Sequence, residues 1–366
     1  MKILFDYQAF SDQEYGGVSR YFYSLAANLA GIPDLHARVY APLHVNQYLA
    51  ADAAGIGVGM CIKPRRGVRR AIRALSSLSF YASAPLFSPD IIHETYYSAG
   101  ASSFGRYPRV LTVFDMIHER CPESFSPADP MSSIKASAIR RVDHLFCISE
   151  NTKRDLLDIL DVPEDKVTVT YLAADPLPDV PVQIRHLTGD MPFLLFVGGR
   201  FGYKNFMSTL RALAASQWLR ENFRVVCFGG GALTQAEHAL IAELGLASDS
   251  VVQFGGPDTL LAALYREAAA LVYPSSYEGF GIPPLEAMSV GCPVICSNAS
   301  SIPEVVGNAG VYFDPADVEA QRAALENVLQ ASELRSSLIA EGYIRHKNFS
   351  WSRCASETLA AYRELV

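Results

Sequence analysis

Short apolar runs recur along the chain, each followed by a turn containing glycine or serine and then by a stretch with helical spacing. That alternation predicts parallel strands joined by crossover helices. In the first half the strand candidates are KILFDY, ARVYAP, DIIHET, RVLTVFD, HLFCIS and KVTVTYL, with helices between them, for example Val18 to Leu29. The pattern restarts at FLLFVGG (193–199) and continues through RVVCFGG, SVVQFGG, ALVYPSS, PVICSN and AGVYFDP. Two consecutive series of this kind predict an α/β protein with two doubly wound, Rossmann-like sheets. Ala174 to Pro192 carries four prolines and little periodicity, and reads as a linker. The tail SWSRCASETLAAYRELV reads as one amphipathic helix. Periodicity leaves open whether it covers the second sheet or crosses back to the first. The layout adopted is a domain over 1–175, a linker over 176–191, a domain over 192–346 and a C-terminal helix over 347–366 that packs back on the first domain.

Composition narrows the class. A chain of 366 residues exceeds one ordinary core, so two domains are expected. Half the residues are hydrophobic and 19% are charged, which is globular composition. A formal charge of -7 argues against a nucleic-acid partner. The start, MKILFDYQAF, is broken by Asp6 and is too short for a signal-peptide core, and no run of about 18 apolar residues occurs. A cytoplasmic protein without a membrane span is therefore expected. The seven cysteines (61, 121, 147, 227, 292, 296 and 354) are scattered, several within apolar runs, and read as buried reduced thiols. Cys292 and Cys296 bracket PVIC without a nearby histidine, so no metal site is assigned to them.

In open parallel sheets, ligands meet the carboxyl ends of strands, close to helix N-termini. Three loops there carry candidate chemistry. EYGGVSRY follows the first strand. Gly16 and Gly17 let backbone approach a phosphate, or simply make a tight turn, and the loop lacks the dinucleotide G-x-G-x-x-G pattern. VGGRFGYKN places Arg200 and Lys204 beside backbone amides, which suits a departing diphosphate, or marks a solvated helix start. YPSSYEGFGIPPLEAMSVG carries Glu278, then Gly279, Phe280 and Gly281, then a helix with Pro283 at its first position, Glu286 in its first turn and Gly291 as its stop. Glu286 suits ribose hydroxyls and Glu278 sugar hydroxyls. The plainer alternative is one capping and one exposed glutamate.

These residues carry a resemblance. Glu278 and Glu286, with seven residues between them, resemble the E-x7-E motif of the retaining glycosyltransferases of family 4. The resemblance covers nearly the whole chain, including GGVSRY, Arg200 with Lys204-Asn205, FGGPDTLLAALYREA, EGFGIPPLEAM and SSIPEVVGNAG, and is closest to bacterial mannosyltransferases of surface-polysaccharide assembly. It implies the GT-B architecture, with the two Rossmann-like domains facing a central cleft. By resemblance Glu278 contacts the transferred sugar and Glu286 the ribose, while the backbone of Gly279, Phe280, Gly281 and Ile282 meets the sugar and diphosphate. Arg200 and Lys204 stabilise the leaving group, Phe254, Gly255 and Gly256 border the base, Gly17 closes on the phosphates, and His118 in VFDMIHE lies near the sugar. One feature departs from the family: it usually separates its arginine and lysine by four residues, and here three intervene. Either the loop is a residue shorter or Arg200 is not the equivalent cation, so Lys204 is the firmer match.

The implied reaction transfers a hexose with retention from a nucleotide sugar, GDP-mannose by resemblance, to a saccharide or lipid-linked acceptor. An epimerase on the same fold and a non-catalytic nucleotide-sugar-binding subunit are the alternatives. No Asp-x-Asp occurs to hold a divalent metal, and fixed cations and helix N-termini can supply that charge, so neither metal nor cofactor is expected. Lys63, Arg65, Arg66, Arg69, Arg70 and Arg73 fall within eleven residues. On a helix they would sit beside Ile72, Leu75 and Leu78, which suits an anionic membrane surface or a lipid diphosphate, or a solvated face. A peripheral position on the inner membrane face follows from the first reading.

Overall fold

A computed structural model describes residues 1–63, 69–98 and 107–366. The chain divides into two compact units. Met1–Glu119, Pro127–Leu172 and Ser350–Val366 form the first, and Arg120–Ser126 with Ala173–Phe349 form the second. The short segment Arg120–Ser126 thus groups with the second unit although it lies within the range read as the first domain.

The first unit is built on seven parallel strands: β1 (Lys2–Phe5), β2 (His36–His44), β3 (Gly57–Cys61), β4 (Ile91–Glu94), β5 (Arg109–Val113), β6 (His144–Cys147) and β7 (Val167–Val169), in the order β3-β2-β1-β4-β5-β6-β7. Their apolar runs are what strands covered on both faces require. β3 had no counterpart among the sequence candidates. Its sequence, GVGMC, holds two glycines, and every residue is exposed. Gly59 is indispensable there: its φ is 153°, and a Cβ would fall 1.8 Å from the Ala41 carbonyl oxygen. Cys61, at the end of this edge strand, is exposed, contrary to the expectation of buried thiols; the other six cysteines are buried.

The C-terminal helix Trp351–Glu364 belongs to the first unit. Ser350 caps it by accepting the Arg353 N–H. Tyr362, fully buried, places its hydroxyl 2.5 Å from His93 Nδ1, and His93 Nε2 lies 2.9 Å from the Thr112 hydroxyl. The imidazole stacks on Phe5 and Phe146. Burial pushes its pKa down to about 3 from an ordinary 6.5, so it sits neutral in the core.

The second unit holds β8 (Phe193–Val197), β9 (Arg224–Phe228), β10 (Val251–Phe254), β11 (Ala270–Tyr273), β12 (Val294–Ser297) and β13 (Gly310–Phe313), all parallel, in the order β10-β9-β8-β11-β12-β13. Phe196, Leu210, Val225, Val272, Ile295 and Leu325 form its core. The order reverses between β8 and β11, so the loops leaving these neighbours diverge and open a crevice at their carboxyl ends. Ahead of β8, the proline-rich stretch forms a single helical turn, Arg185–Thr188.

The buried histidine makes stability depend on pH. Below 6.5 the unfolded chain takes up a proton that folded His93 refuses until about pH 3, so stability declines as pH falls through that window. Urea unfolding from pH 7 down to 5 should show the native protein losing stability more steeply than His93→Gln. The difference should approach about 1.4 kcal/mol per pH unit well below 6.5. Equal slopes would remove this role.

Candidate active site

The loop after β11 runs from Pro274 to Gly281 and ends at the helix Ile282–Ser289. Gly281 caps that helix with φ 122°, a conformation open to glycine. Pro283 and Pro284 take the second and third helical positions, rather than Pro283 the first, and lack N–H groups. The helix itself therefore offers few donors, and the backbone amides of this segment come from Gly279, Phe280, Gly281 and Ile282. Glu286 is the fifth helical residue, so it stands at the start of the second turn instead of in the first. The ring of Phe280 is buried against Phe349, with centroids 5.7 Å apart, so it anchors the loop from below. Gly291, with φ 79°, ends the segment.

The loop is tied down by neighbours. Glu278 N–H donates to Ser300 Oγ at 2.8 Å, and the Ser301 hydroxyl lies 2.9 Å from the Glu278 carbonyl and 2.8 Å from that of Phe280. Ser300 has φ 51°, left-handed for a non-glycine residue. From the other side comes the loop after β8. Asn205, also left-handed at φ 55°, donates its side-chain amide to the carbonyls of Pro274 (3.2 Å) and Pro315 (2.8 Å). Ser276 N–H donates to the Tyr203 carbonyl at 2.8 Å. Laced together in this way, the two loops bring Lys204 Nζ to 2.7 Å from Glu278 Oε1.

A buried tyrosine attends each acid. The buried Tyr273 phenol lies near enough to Glu278 to feel its charge, and the Tyr265 hydroxyl donates to Glu286 Oε2 at 3.0 Å. Burial and the adjacent carboxylates push both phenols well above their ordinary range, so both stay protonated. Sequence reasoning gave no role to these tyrosines, nor to Asn205, Ser300 and Ser301, although Tyr265, Asn205 and both serines lie in segments that carry the resemblance. Tyr265 in LLAALYREA reads simply as an apolar helix face.

The two cations of the β8 loop part company. Arg200 is buried. Its Nε pairs with Glu237 Oε1 at 2.7 Å, and its terminal nitrogens donate to the carbonyls of Gly229, Gly231 and Ala232, each at 2.9 Å. Glu237 also closes the capping box of the helix Gln235–Glu243 with Thr234. Against the upward push of burial, the hydrogen bonds from Arg200 and Thr234 hold the Glu237 carboxyl below its ordinary range. The guanidinium thus braces the turn Gly229–Gly231, whose three φ angles are all positive. Phe254, at the end of β10, accepts the Gly229 N–H at 2.9 Å, so Phe254, Gly255 and Gly256 border the same turn.

The remaining candidates lie in the first unit. Gly17 opens the helix Gly17–Ala30, which Gln13 caps by accepting the Ser19 N–H at 3.0 Å. A Cβ on Gly16 would fall 2.3 Å from Gln13 Oε1, while one on Gly17 meets nothing within 4 Å. A side chain at Gly16 would therefore displace the Gln13 amide from its cap, and space is left open at Gly17. His118 sits on the turn Ile117–Arg120 after β5, with Nε2 3.8 Å from Asp129 Oδ2. Asp115 accepts the Ile117 N–H and, with Glu119, holds the buried ammonium of Lys135. In the basic stretch, Arg65 and Arg66 fall outside the described residues. Arg73 pairs with Asp12, and Ile72 is buried instead of standing beside the exposed Leu75 and Leu78.

Residues 183–345 match the family described as Glycosyl transferases group 1, and residues 15–176 match Glycosyltransferase Family 4. The chain is 32% identical over 273 residues to the O-antigen chain mannosyltransferase B of Escherichia coli, with 71% of each chain covered. It is 28% identical over 244 residues to the serotype-specific mannosyltransferase WbdA of Escherichia coli, covering 63% of this chain and 30% of that protein. The solved structure of Anabaena Alr3699/HepE in complex with UDP and glucose superposes with a TM-score of 0.77 at 18% identity, covering 100% of both chains. The shared fold is GT-B, with two Rossmann-like domains.

The difference between the two cations is measurable in stability. Arg200→Ala strands Glu237 and three carbonyls in a buried setting and should cost about 3–5 kcal/mol in urea unfolding. Lys204→Ala leaves a carboxylate that keeps 11% of its side chain in water and should cost less. Equal costs would contradict the assignment of Arg200 as a brace.

Proposed function

The chain belongs to glycosyltransferase family 4, and on that footing we propose that it transfers mannose from GDP-mannose, with retention and without a metal ion, to a saccharide or lipid-linked saccharide. The observation that carries this reading is the 2.7 Å pair between Lys204 and Glu278, held by two loops where the strand order of the second sheet reverses. Both named relatives above are mannosyltransferases, which favours mannose as the sugar.

The donor's sugar–phosphate bond breaks through an oxocarbenium-like state. Lys204 has three donors, so its ammonium can keep Glu278 and still meet the leaving diphosphate. Charge held in place before the reaction stabilises the developing phosphate without reorganisation, and here it takes the role a metal fills elsewhere. Glu278, fixed by Lys204, accepts hydrogen bonds from the sugar's hydroxyls. The acceptor oxygen bonds to the anomeric carbon on the face the diphosphate leaves, and the departing phosphate oxygen takes its proton.

A lipid-linked acceptor gives the helix Arg69–Phe87 a function. Leu75, Leu78 and Leu86 on it are 55%, 70% and 86% exposed, and Arg73 and Lys63 are exposed as well. The exposed leucines of this helix, with the exposed Lys63 ahead of it, fit an anionic membrane surface, with about 1 kcal/mol for each cation near it.

Lys204→Ala and Glu278→Ala should each lower kcat by at least about a hundredfold, read as GDP release in the presence of acceptor, with unchanged circular dichroism. Full activity in either variant would remove the site assignment. On vesicles, the protein should co-sediment with phosphatidylglycerol-containing bilayers and not with pure phosphatidylcholine, and Leu75→Ser/Leu78→Ser should abolish the difference. Equal partitioning of the native protein would remove the membrane role.

A further inference from the structure

Glu286 is buried on the helix Ile282–Ser289, at 5% exposure. A carboxylate's terminal torsion is broad, so a lone glutamate would present either oxygen in many orientations. Here one oxygen is taken: Oε2 accepts from the hydroxyl of Tyr265, which is itself 0% exposed on the helix Asp258–Glu267. That helix starts two residues after the Phe254-Gly255-Gly256 loop and packs against the helix of Glu286. The phenol is buried on all sides and donates its hydrogen to the acid.

We infer that Tyr265 is a positioning residue: by engaging Oε2 it turns the other carboxylate oxygen of Glu286 toward the ribose of the donor nucleotide, and so sets the preference for a ribonucleotide over its deoxy counterpart. The inference rests on the reading of Glu286 as the ribose acceptor. A fixed carboxylate gains from both ribose hydroxyls at little ordering cost. A freely turning one loses part of that gain to the entropy of being oriented.

The test uses the full chain and isothermal titration with whichever of GDP, UDP and ADP binds most tightly, alongside its 2′,3′-dideoxy form. The native protein should prefer the ribo form on the order of tenfold to a hundredfold, as hydrogen bonds to a charged acceptor imply. Tyr265→Phe, which keeps the volume, should reduce that preference to about threefold or less, with the affinity for the dideoxy form unchanged. In a Glu286→Gln background the same change should have no further effect on the preference, because Tyr265 acts through that carboxylate. A native-like preference in Tyr265→Phe overturns the inference and leaves the role of Glu286 standing. The absence of any preference in the native protein overturns the reading of Glu286 itself, and the inference with it. A Tyr265→Phe variant that binds both forms equally weakly marks a purely structural tyrosine and also overturns the inference.

Discussion

An ammonium and a carboxylate held 2.7 Å apart, largely out of water, organise the second unit. Taking two charges out of solvent is expensive, and their attraction offsets the cost only if good geometry and further hydrogen bonds attend them. The structure supplies these. Ser300 and Ser301 secure the backbone of Glu278. Asn205 ties the lysine's loop to the start of the glutamate's loop. The pair exists because β8 and β11 are neighbours although β9 and β10 lie between them in sequence. No local pairing of residues could have brought position 204 to position 278.

Backbone strain concentrates at the same place. Among the described residues, the non-glycine positions with positive φ are Asp34, Ser88, Asn205 and Ser300, and the last two flank this pair. Each such conformation costs on the order of 1–3 kcal/mol and persists only where the surroundings impose it. Asn205 is held through two carbonyls, and Ser300 lies between the segment that follows β12 and the Glu278 loop. A rigid, charged frame of this kind suits electrostatic catalysis, in which the protein's dipoles and charges stand ready before charge develops on the substrate.

The two cations of the β8 loop show how burial divides like residues into unlike roles. Arg200 and Lys204 lie four positions apart and carry the same charge. The planar fork of arginine suits several fixed acceptors at once, and here it meets Glu237 and three carbonyls. The lysine is a compact point charge on a flexible stem and can serve a protein carboxylate together with a second anion. The tyrosines behind Glu278 and Glu286 extend this logic by one layer. A group that touches no substrate can still decide which way a carboxylate faces.

The sequence by itself determined the architecture. Central strands buried on both faces must be apolar throughout, and the half-covered outer ones still carry apolar runs, so twelve of the thirteen strands were legible, while β3, glycine-rich and exposed on the sheet edge, left no such trace. The sequence also located the loops that carry chemistry, because positive φ selects glycine at Gly198 and Gly202 in VGGRFG and at Gly281 in EGFG. It could not tell which way a side chain on those loops points. Arg200 turned inward, Ile72 faced the core beside an exposed Leu75, Tyr265 passed for an ordinary core residue, and the terminal helix joined the first unit through Tyr362 and His93. Each of these depends on partners dozens to hundreds of residues away. Periodicity records only how a residue stands toward its near neighbours in the chain, whereas burial and ion pairing are settled by packing between distant segments.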